Sequence, residues 1–227
     1  MDDAAASERR ALKIEVWSDV VCPWCYIGKR RLESALAELE HPEDVQVLWR
    51  SFQLDPSFPN GVRRPVLEVL AEKTGGSIEQ ARAMTDQLGV LAAQDGLNYD
   101  FEGATMVNTF DAHRLTHLAA AHGLGGEMHE RLLRAQLVEA QTLDDRETLV
   151  ALAAEVGVPA DEARRVLEGD EYARDVEQDI LEARALGVSG VPFFVLDRAY
   201  GVSGAQPVEV FRSALRSARE HAGSAAP

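Results

Sequence analysis

Cys22-Pro23-Trp24-Cys25 constrains this chain more than any other stretch, because of what flanks it. Upstream, Leu12 to Trp17 alternates as a short strand, with Ile14 and Val16 on one face and Lys13 and Glu15 on the other. Downstream, Leu32, Ala35, Leu36 and Leu39 recur at the spacing of one apolar helix face. The two cysteines therefore sit where a strand ends and a helix begins. Pro23 fits the first helical position, where its missing N–H is no loss.

A helix N-terminus offers unpaired N–H groups and a partial positive charge, both of which favour an anion. Cys22 is thus expected to ionise below the free-thiol value of about 8.5. Cys25, one turn on, is close enough to attack a mixed disulfide formed at Cys22, so the pair reads as a dithiol switch. A zinc site needs about four ligands, whereas these are the only cysteines and the nearest histidine is His41. A purely structural disulfide gains little here, because the ring it closes is tight. No metal is expected, and no cofactor beyond the redox-active Cys22–Cys25 pair, with a low-molecular-weight thiol as an alternative co-substrate.

With 38 acidic and 23 basic residues, the net charge is −15. Such a surface repels phosphate, which disfavours nucleic acid and anionic membranes as partners. No run approaches the roughly 18 apolar residues of a membrane span. Residues Met1 to Lys13 lack the apolar core of a secretory signal, so the chain is expected to be cytoplasmic. Monomer and homodimer are equally compatible with this composition. The one compact basic run, Lys29-Arg30-Arg31, is expected to be the solvated face of the first helix.

Val45, Val47 and Trp49 alternate as a second strand, parallel to the first across the helix. From Pro65 to Leu186 the pattern is helical, with no strand expected. A helix stops at Gly75-Gly76, and Ser77 with Gln80 forms a capping box for the next. Gly96 to Gly103 is a loop bearing Tyr99 and Phe101, Asn108 or Thr109 caps a helix from Phe110 to His122, and Asp144 caps a later one. A stripe of Ala173, Val176, Ile180 and Ala183 ends at Gly187. Val191 to Leu196 is then an apolar strand, Asp197-Arg198 its turn, and Tyr200 to Ser203 an antiparallel return. A last helix carries Val210, Phe211 and Leu215 on one face, and His221 to Pro227 is expected to fray.

The opening β-α-β and closing β-β-α segments complete each other as an α/β thioredoxin-like fold with a large all-helical insertion. The expected domains are a discontinuous thioredoxin-like unit (12–60 and 187–220) and a helical insertion (61–186) whose last helix leads back to the core. In such a fold the turn before the third strand brings an X-Pro peptide beside the dithiol, which makes Val191-Pro192 a candidate cis peptide. Its cis form would leave the Val191 backbone open to a substrate chain beside Cys22.

Four segments carry a resemblance: Ser18 to Gly28 around the dithiol, Asn108 with Ala112 to Leu115, Gly187 to Phe194, and Ser203 to Gln206. In this order the chain resembles the DsbA family of thiol-disulfide oxidoreductases, in its FrnE-like cytoplasmic branch. The resemblance implies Cys22 as nucleophile, Cys25 as resolving thiol and Pro192 as the cis-proline, acting on a protein or small-molecule thiol or disulfide. Pro23, Trp24 and Val191 are expected beside the substrate. The architecture is also similar to that of kappa-class glutathione transferases and 2-hydroxychromene-2-carboxylate isomerases, which use a serine near the first cysteine position. The alternative function is therefore a small-thiol-dependent isomerase or transferase. Asn108 is equally a helix cap or a pocket residue, while His113 and Arg114 read as interface residues. His113 and His117, four apart with Arg114 between them and no third ligand evident, read as a coincidence of helix composition rather than a metal site.

Overall fold

The computed structural model describes residues 11–224, with side chains as far as His221. The expectation for the leader therefore falls mostly outside the described residues, as does the end of the expected fraying tail. The chain runs β1 (Leu12–Ser18), α1 (Pro23–Ala37), β2 (Val45–Ser51), β3 (Arg64–Pro65), α2 (Val66–Thr74) and α3 (Ile78–Gln94). It continues through β4 (Thr105–Met106), α4 (Phe110–Ala121), α5 (Gly125–Leu137), α6 (Arg146–Glu155), α7 (Ala160–Glu168) and α8 (Ala173–Ala185). β5 (Phe193–Leu196), β6 (Tyr200–Ser203) and α9 (Val208–Ser224) complete it.

The main sheet has the order β2-β1-β5-β6. β1 and β2 are parallel, with Ile14 opposite Val47 and Val16 opposite Trp49, whereas β5 is antiparallel to both β1 and β6. α1 and α9 cover one face, where Ile14, Val16, Leu32, Phe194, Phe211 and Leu215 form the core. Val210 lies off that face and is exposed, contrary to expectation. Asp197 and Arg198 both take left-handed φ angles (48° and 58°), the geometry a two-residue hairpin requires. This is an α/β thioredoxin-like fold carrying a large insertion between β2 and β5.

The second face of β1 is covered as well. Glu15 and Trp17 on that face are both buried, and the Trp17 indole donates to the Asp179 carbonyl on α8 (2.9 Å). A central strand is covered on both sides, here by α8, and Glu15 is tolerated because Arg50 (2.6 Å) and Arg198 pair with it. Burial pushes its carboxyl up, but the two guanidinium groups outweigh that and hold it below the usual range.

α4 to α7 enclose a second core of Leu115, Met128, Leu132, Leu149, Leu152 and Val166, joined by Val20 and Val21 from the β1–α1 turn. Between Pro65 and Leu186 the structure adds what was not expected, the antiparallel bridge of β3 and β4. Two-residue strands are too short to show a period. Ser77 and Gln80 do form the capping box. The cap of α6 is Asp145, which accepts the Thr148 N–H (2.9 Å), while Asp144 instead pairs with Arg63 (2.9 Å). α9 remains helical through Ser224, beyond the point where fraying was expected.

Candidate active site

β1 ends at Ser18, and the chain turns so that the Cys22 N–H donates to the Asp19 carbonyl (3.0 Å). Asp19 is itself buried. Its carboxylate accepts the Leu54 N–H (2.8 Å) and meets His113 Nε2 (3.3 Å), which ties the turn to the segment after β2 and to α4. Buried Val20 and Val21 anchor the same turn in the helical core. α1 then starts with Cys22 as its cap, in extended conformation, and Pro23 in its first turn. Both cysteines are reduced, and both are buried, Cys22 at 3% exposure and Cys25 at 1%. Pro23 is half-buried, and Trp24 is exposed at 44%.

The turn before β5 lies against this helix start. The Val191–Pro192 peptide is cis. The Cys22 thiol donates to the Val191 carbonyl (3.6 Å). Close approach needs Gly28, because a Cβ there would sit 2.9 Å from Pro192 Cγ. On the other side Tyr99 donates from its hydroxyl to the Pro23 carbonyl (2.7 Å), so the loop after α3 clamps the first turn of α1. Leu88, Leu91, Tyr99 and Val191 pack around the cluster that contains both sulfurs.

The sulfurs are electrostatically unequal. Burial, then the neighbouring Cys22 sulfur, pushes the Cys25 thiol well above the ordinary range, and hydrogen bonds from the Ser18 side chain and the Asp19 backbone do not offset this. Cys25 is held as a thiol beneath Cys22. Cys22 caps the N-terminus of α1, and its thiol meets the Val191 carbonyl. Such a pair can exchange thiols with a disulfide and close on itself.

Lys29-Arg30-Arg31 is not a solvated face. Lys29 is buried and pairs with Glu33 and Glu130 (2.7 Å to Glu130), and Arg30 pairs with the same two carboxylates. Arg31 pairs with Asp95 (3.1 Å) and donates to the Ala205 carbonyl (2.7 Å). Carboxylates from α5 and the end of α3 close over the run, so it clamps α1 to the helical region.

Asn108 precedes Thr109, the cap residue of α4, and its carboxamide accepts the Phe110 N–H (2.9 Å) and donates to the Phe58 carbonyl (2.7 Å), which ties the start of α4 to a loop. It lines a groove of about 500 Å³ with Gln53, Phe110 and Arg184, and no residue of the dithiol or of Val191–Pro192 lines that groove. Arg114 is buried and donates to the carbonyls of Val166, Gly169 (2.7 Å) and Glu171 (2.9 Å), which closes the C-terminal end of α7. His113 and His117 diverge, His113 to Asp19 and His117 to Asp179 (3.0 Å). Among the described residues no group of three His, Cys, Asp or Glu side chains is arranged to hold a metal ion, and no helix is long and apolar enough to cross a membrane.

Sequence reasoning assigned no role to Ser18, Tyr99 or His129, all of which the structure brings to the dithiol or one step from it. Tyr99, an aromatic between Gly96 and Gly103, carried a faint signal. Ser18 and His129 carried none.

The model of the DsbA-like thioredoxin domain matches residues 13–216. The structure of a probable DsbA oxidoreductase from Streptomyces coelicolor is 46% identical, covers 95% of this chain and 92% of its own, and superposes with a TM-score of 0.89. An uncharacterised protein of Bacillus subtilis, YwbO, is 29% identical over 89% of this chain and 94% of its own length. The structure of a cytosolic disulfide reductase, DsbM, from Pseudomonas aeruginosa with GSH shares the fold at 23% identity (TM-score 0.62, 90% of this chain and 98% of that one). With the dithiol at the head of α1, the cis X-Pro turn against it and a match along nearly the whole chain, this protein belongs to the DsbA-like thioredoxin-domain family.

Proposed function

We propose that this chain is a thiol-disulfide oxidoreductase in which Cys22 attacks and Cys25 resolves. The observation that carries the reading is the asymmetry of the pair: Cys22 stands at the α1 N-terminus against the Val191 carbonyl, and Cys25 lies deeper and is held as a thiol. The Cys22 thiolate attacks a substrate disulfide, forming Cys22–S–S–R and expelling one substrate thiolate. Cys25 then attacks the Cys22 sulfur, and R leaves as its thiol. The substrate gains two electrons and the enzyme becomes the Cys22–Cys25 disulfide. Run in reverse, the oxidised pair makes a disulfide in a substrate dithiol. Direction follows the pair's potential against its surroundings, so in a reducing compartment such as the cytoplasm it acts as a reductase. Pro23, Trp24, Val191 and Pro192 form the rim a substrate meets. These steps use no metal and no organic cofactor, and a small thiol serves as recycling reductant.

A second reading, a small-thiol-dependent enzyme acting on a small organic molecule, is favoured by one observation. Both cysteines are almost fully buried in a cluster against which Leu88, Leu91 and Tyr99 pack, which suits a narrow thiol. Reduction of insulin by dithiothreitol, followed by turbidity, separates the two. Acceleration by the wild type and none by Cys22→Ser is the expected result. Equal acceleration by Cys22→Ser would overturn the mechanism. An activity that needs glutathione and Cys22 but survives Cys25→Ser would establish the second reading.

A further inference from the structure

The dithiol is closed off from solvent, and much of what closes it belongs to one separable segment. Cys22 is 3% exposed and Cys25 1%, whereas thiol-disulfide exchange needs access to the attacking sulfur. Packed with the two cysteines are Leu88, Leu91 and Ala92 of α3, Leu97 and Tyr99 of the loop that follows, and Leu133 and Leu137 of α5. The segment that carries α3 begins and ends at one place. β3 leads into α2 and pairs with β4, which follows the loop after α3, and beside that bridge the Val66 N–H donates to the Ala104 carbonyl (3.1 Å). Residues 66–104 therefore hang from a two-strand stem. The stem is pinned to the helical region by Arg63 on Asp144 (2.9 Å) and by the Gln136 carboxamide on the Thr105 carbonyl (2.7 Å). α2 and α3 also carry a small core of their own, Leu67, Ala71 and Ala81 with Leu70, separate from the larger ones. Among the described residues, the polar ties from this segment to the rest of the chain are single contacts. Asp95 pairs with Arg31 (3.1 Å), Tyr99 donates to the Pro23 carbonyl (2.7 Å), the Asp100 N–H donates to the Leu137 carbonyl (2.8 Å), and Lys73 pairs with Asp55 (3.1 Å). Each such tie adds little net stability by itself.

We propose that residues 66–104 form a lid that opens on the β3–β4 stem to admit a substrate disulfide to Cys22. This deepens the oxidoreductase reading and rests on Cys22 as the attacking sulfur. Opening releases the ties at Asp95, Tyr99, Asp100 and Lys73 and lifts Leu88, Leu91 and Tyr99 away from the dithiol. The stem, the α2–α3 core, α1 and the Val191–Pro192 turn stay as they are. Local opening of this kind is drawn from units that hold together internally and are weakly tied outside, which is the construction of this segment.

The test mixes the reduced full-length Cys25→Ser protein with the disulfide dithiodipyridine at neutral pH and follows thiopyridone release as Cys22 reacts. It is repeated across urea concentrations below the unfolding transition. The rate should climb with urea at a slope well short of that for global unfolding, because opening exposes only the inner surface of the lid. Without urea, Tyr99→Phe should react about fivefold faster and Asp95→Asn about twofold faster, since each loosens a tie. Leu215→Ala weakens the core between α9 and the sheet and leaves the lid untouched, so its rate without urea should stay within about twofold. A rate independent of urea would overturn the lid, because the sulfur is then reached without opening. A slope equal to that of global unfolding would also overturn it, as would unchanged rates in both tie variants. If Cys25→Ser does not fold, the first phase of thiopyridone release by the wild type reads the same step. These rates need no turnover, so failure of the lid is read from them, and failure of the exchange mechanism from Cys22→Ser in the insulin assay.

Discussion

Gly28→Ala puts a methyl group between α1 and the turn before β5. A Cβ at this position lies 2.9 Å from Pro192 Cγ and 3.1 Å from Phe194 Cζ. Unstrained carbon contacts begin at about 3.5 Å, so both neighbours must retreat by roughly half an ångström. Neither is free to do so. Phe194 is fully buried and meets Phe211 edge-on at 4.8 Å, and Pro192 is a rigid ring in the turn that carries the Val191 carbonyl. Overpacking of this kind costs about 1–3 kcal/mol, set against about 1 kcal/mol gained from the better helix propensity of alanine. The expected net effect is a loss of about 1–2 kcal/mol, at the upper end because both neighbours are rigid. Gly89→Ala is the matched control. It too lies inside a helix, α3, but a Cβ there meets nothing within 4 Å, so it should gain about 0.5–1 kcal/mol. Urea unfolding of the reduced proteins, followed by tryptophan fluorescence, measures both. The turn should also shift away from Cys22, and native-state alkylation by iodoacetamide should quicken in Gly28→Ala relative to Gly89→Ala. If Gly28→Ala proves as stable as Gly89→Ala, the close approach of α1 to Pro192 is not a packing constraint, and the reasoning fails.

Glu130→Gln removes the carboxylate shared by Lys29 and Arg30. Because Glu130 keeps 29% exposure, the loss should be about 1–3 kcal/mol at pH 7, less than for a fully buried pair. Burial pushes the Glu130 carboxyl up, but Lys29, Tyr26 and Arg30 outweigh it and hold it below its ordinary value. Its contribution is therefore complete above about pH 4.5 and fades as pH falls through the folded-state value. Urea unfolding at pH 7 and pH 3 should show the difference from wild type shrinking at the lower pH, and a constant difference would refute the electrostatic account. Tyr99→Phe deletes the hydroxyl that donates to the Pro23 carbonyl. It should cost about 1 kcal/mol in urea unfolding, and no loss would mean that the loop after α3 does not clamp the dithiol.

What the sequence carried by itself was local and periodic. The β1–α1 junction around Cys22, the strand at Val45, the Ser77 capping box, the Gly187 stop and the hairpin at Asp197-Arg198 each depend on residues within a turn or two of one another. Fixed φ preferences and apolar repeats express them directly. Segment order then implied the thioredoxin fold with its helical insertion, and with it a proline beside the dithiol. Strands β3 and β4 were illegible because two residues have no period, and the cap of α6 was read one residue early because Asp144 and Asp145 are chemically alike.

Only the tertiary structure decided which polar groups are buried and what they meet. Glu15 looks like a solvent residue until α8 covers it and Arg198 arrives 183 positions later. Arg30 looks solvated until Glu130 approaches from 100 residues away, and Tyr99 reaches Pro23 across 76. Ser18 and His129 are 111 residues apart, and nothing local to either hints at a hydrogen bond. Apolar burial repeats along the chain, so it leaves a pattern. The partner of a buried charge or hydroxyl is a single contact, set by how distant elements pack. The dithiol could therefore be read from four adjacent residues, while the contact of Ser18 with His129 became visible only when α5 was laid against the end of β1.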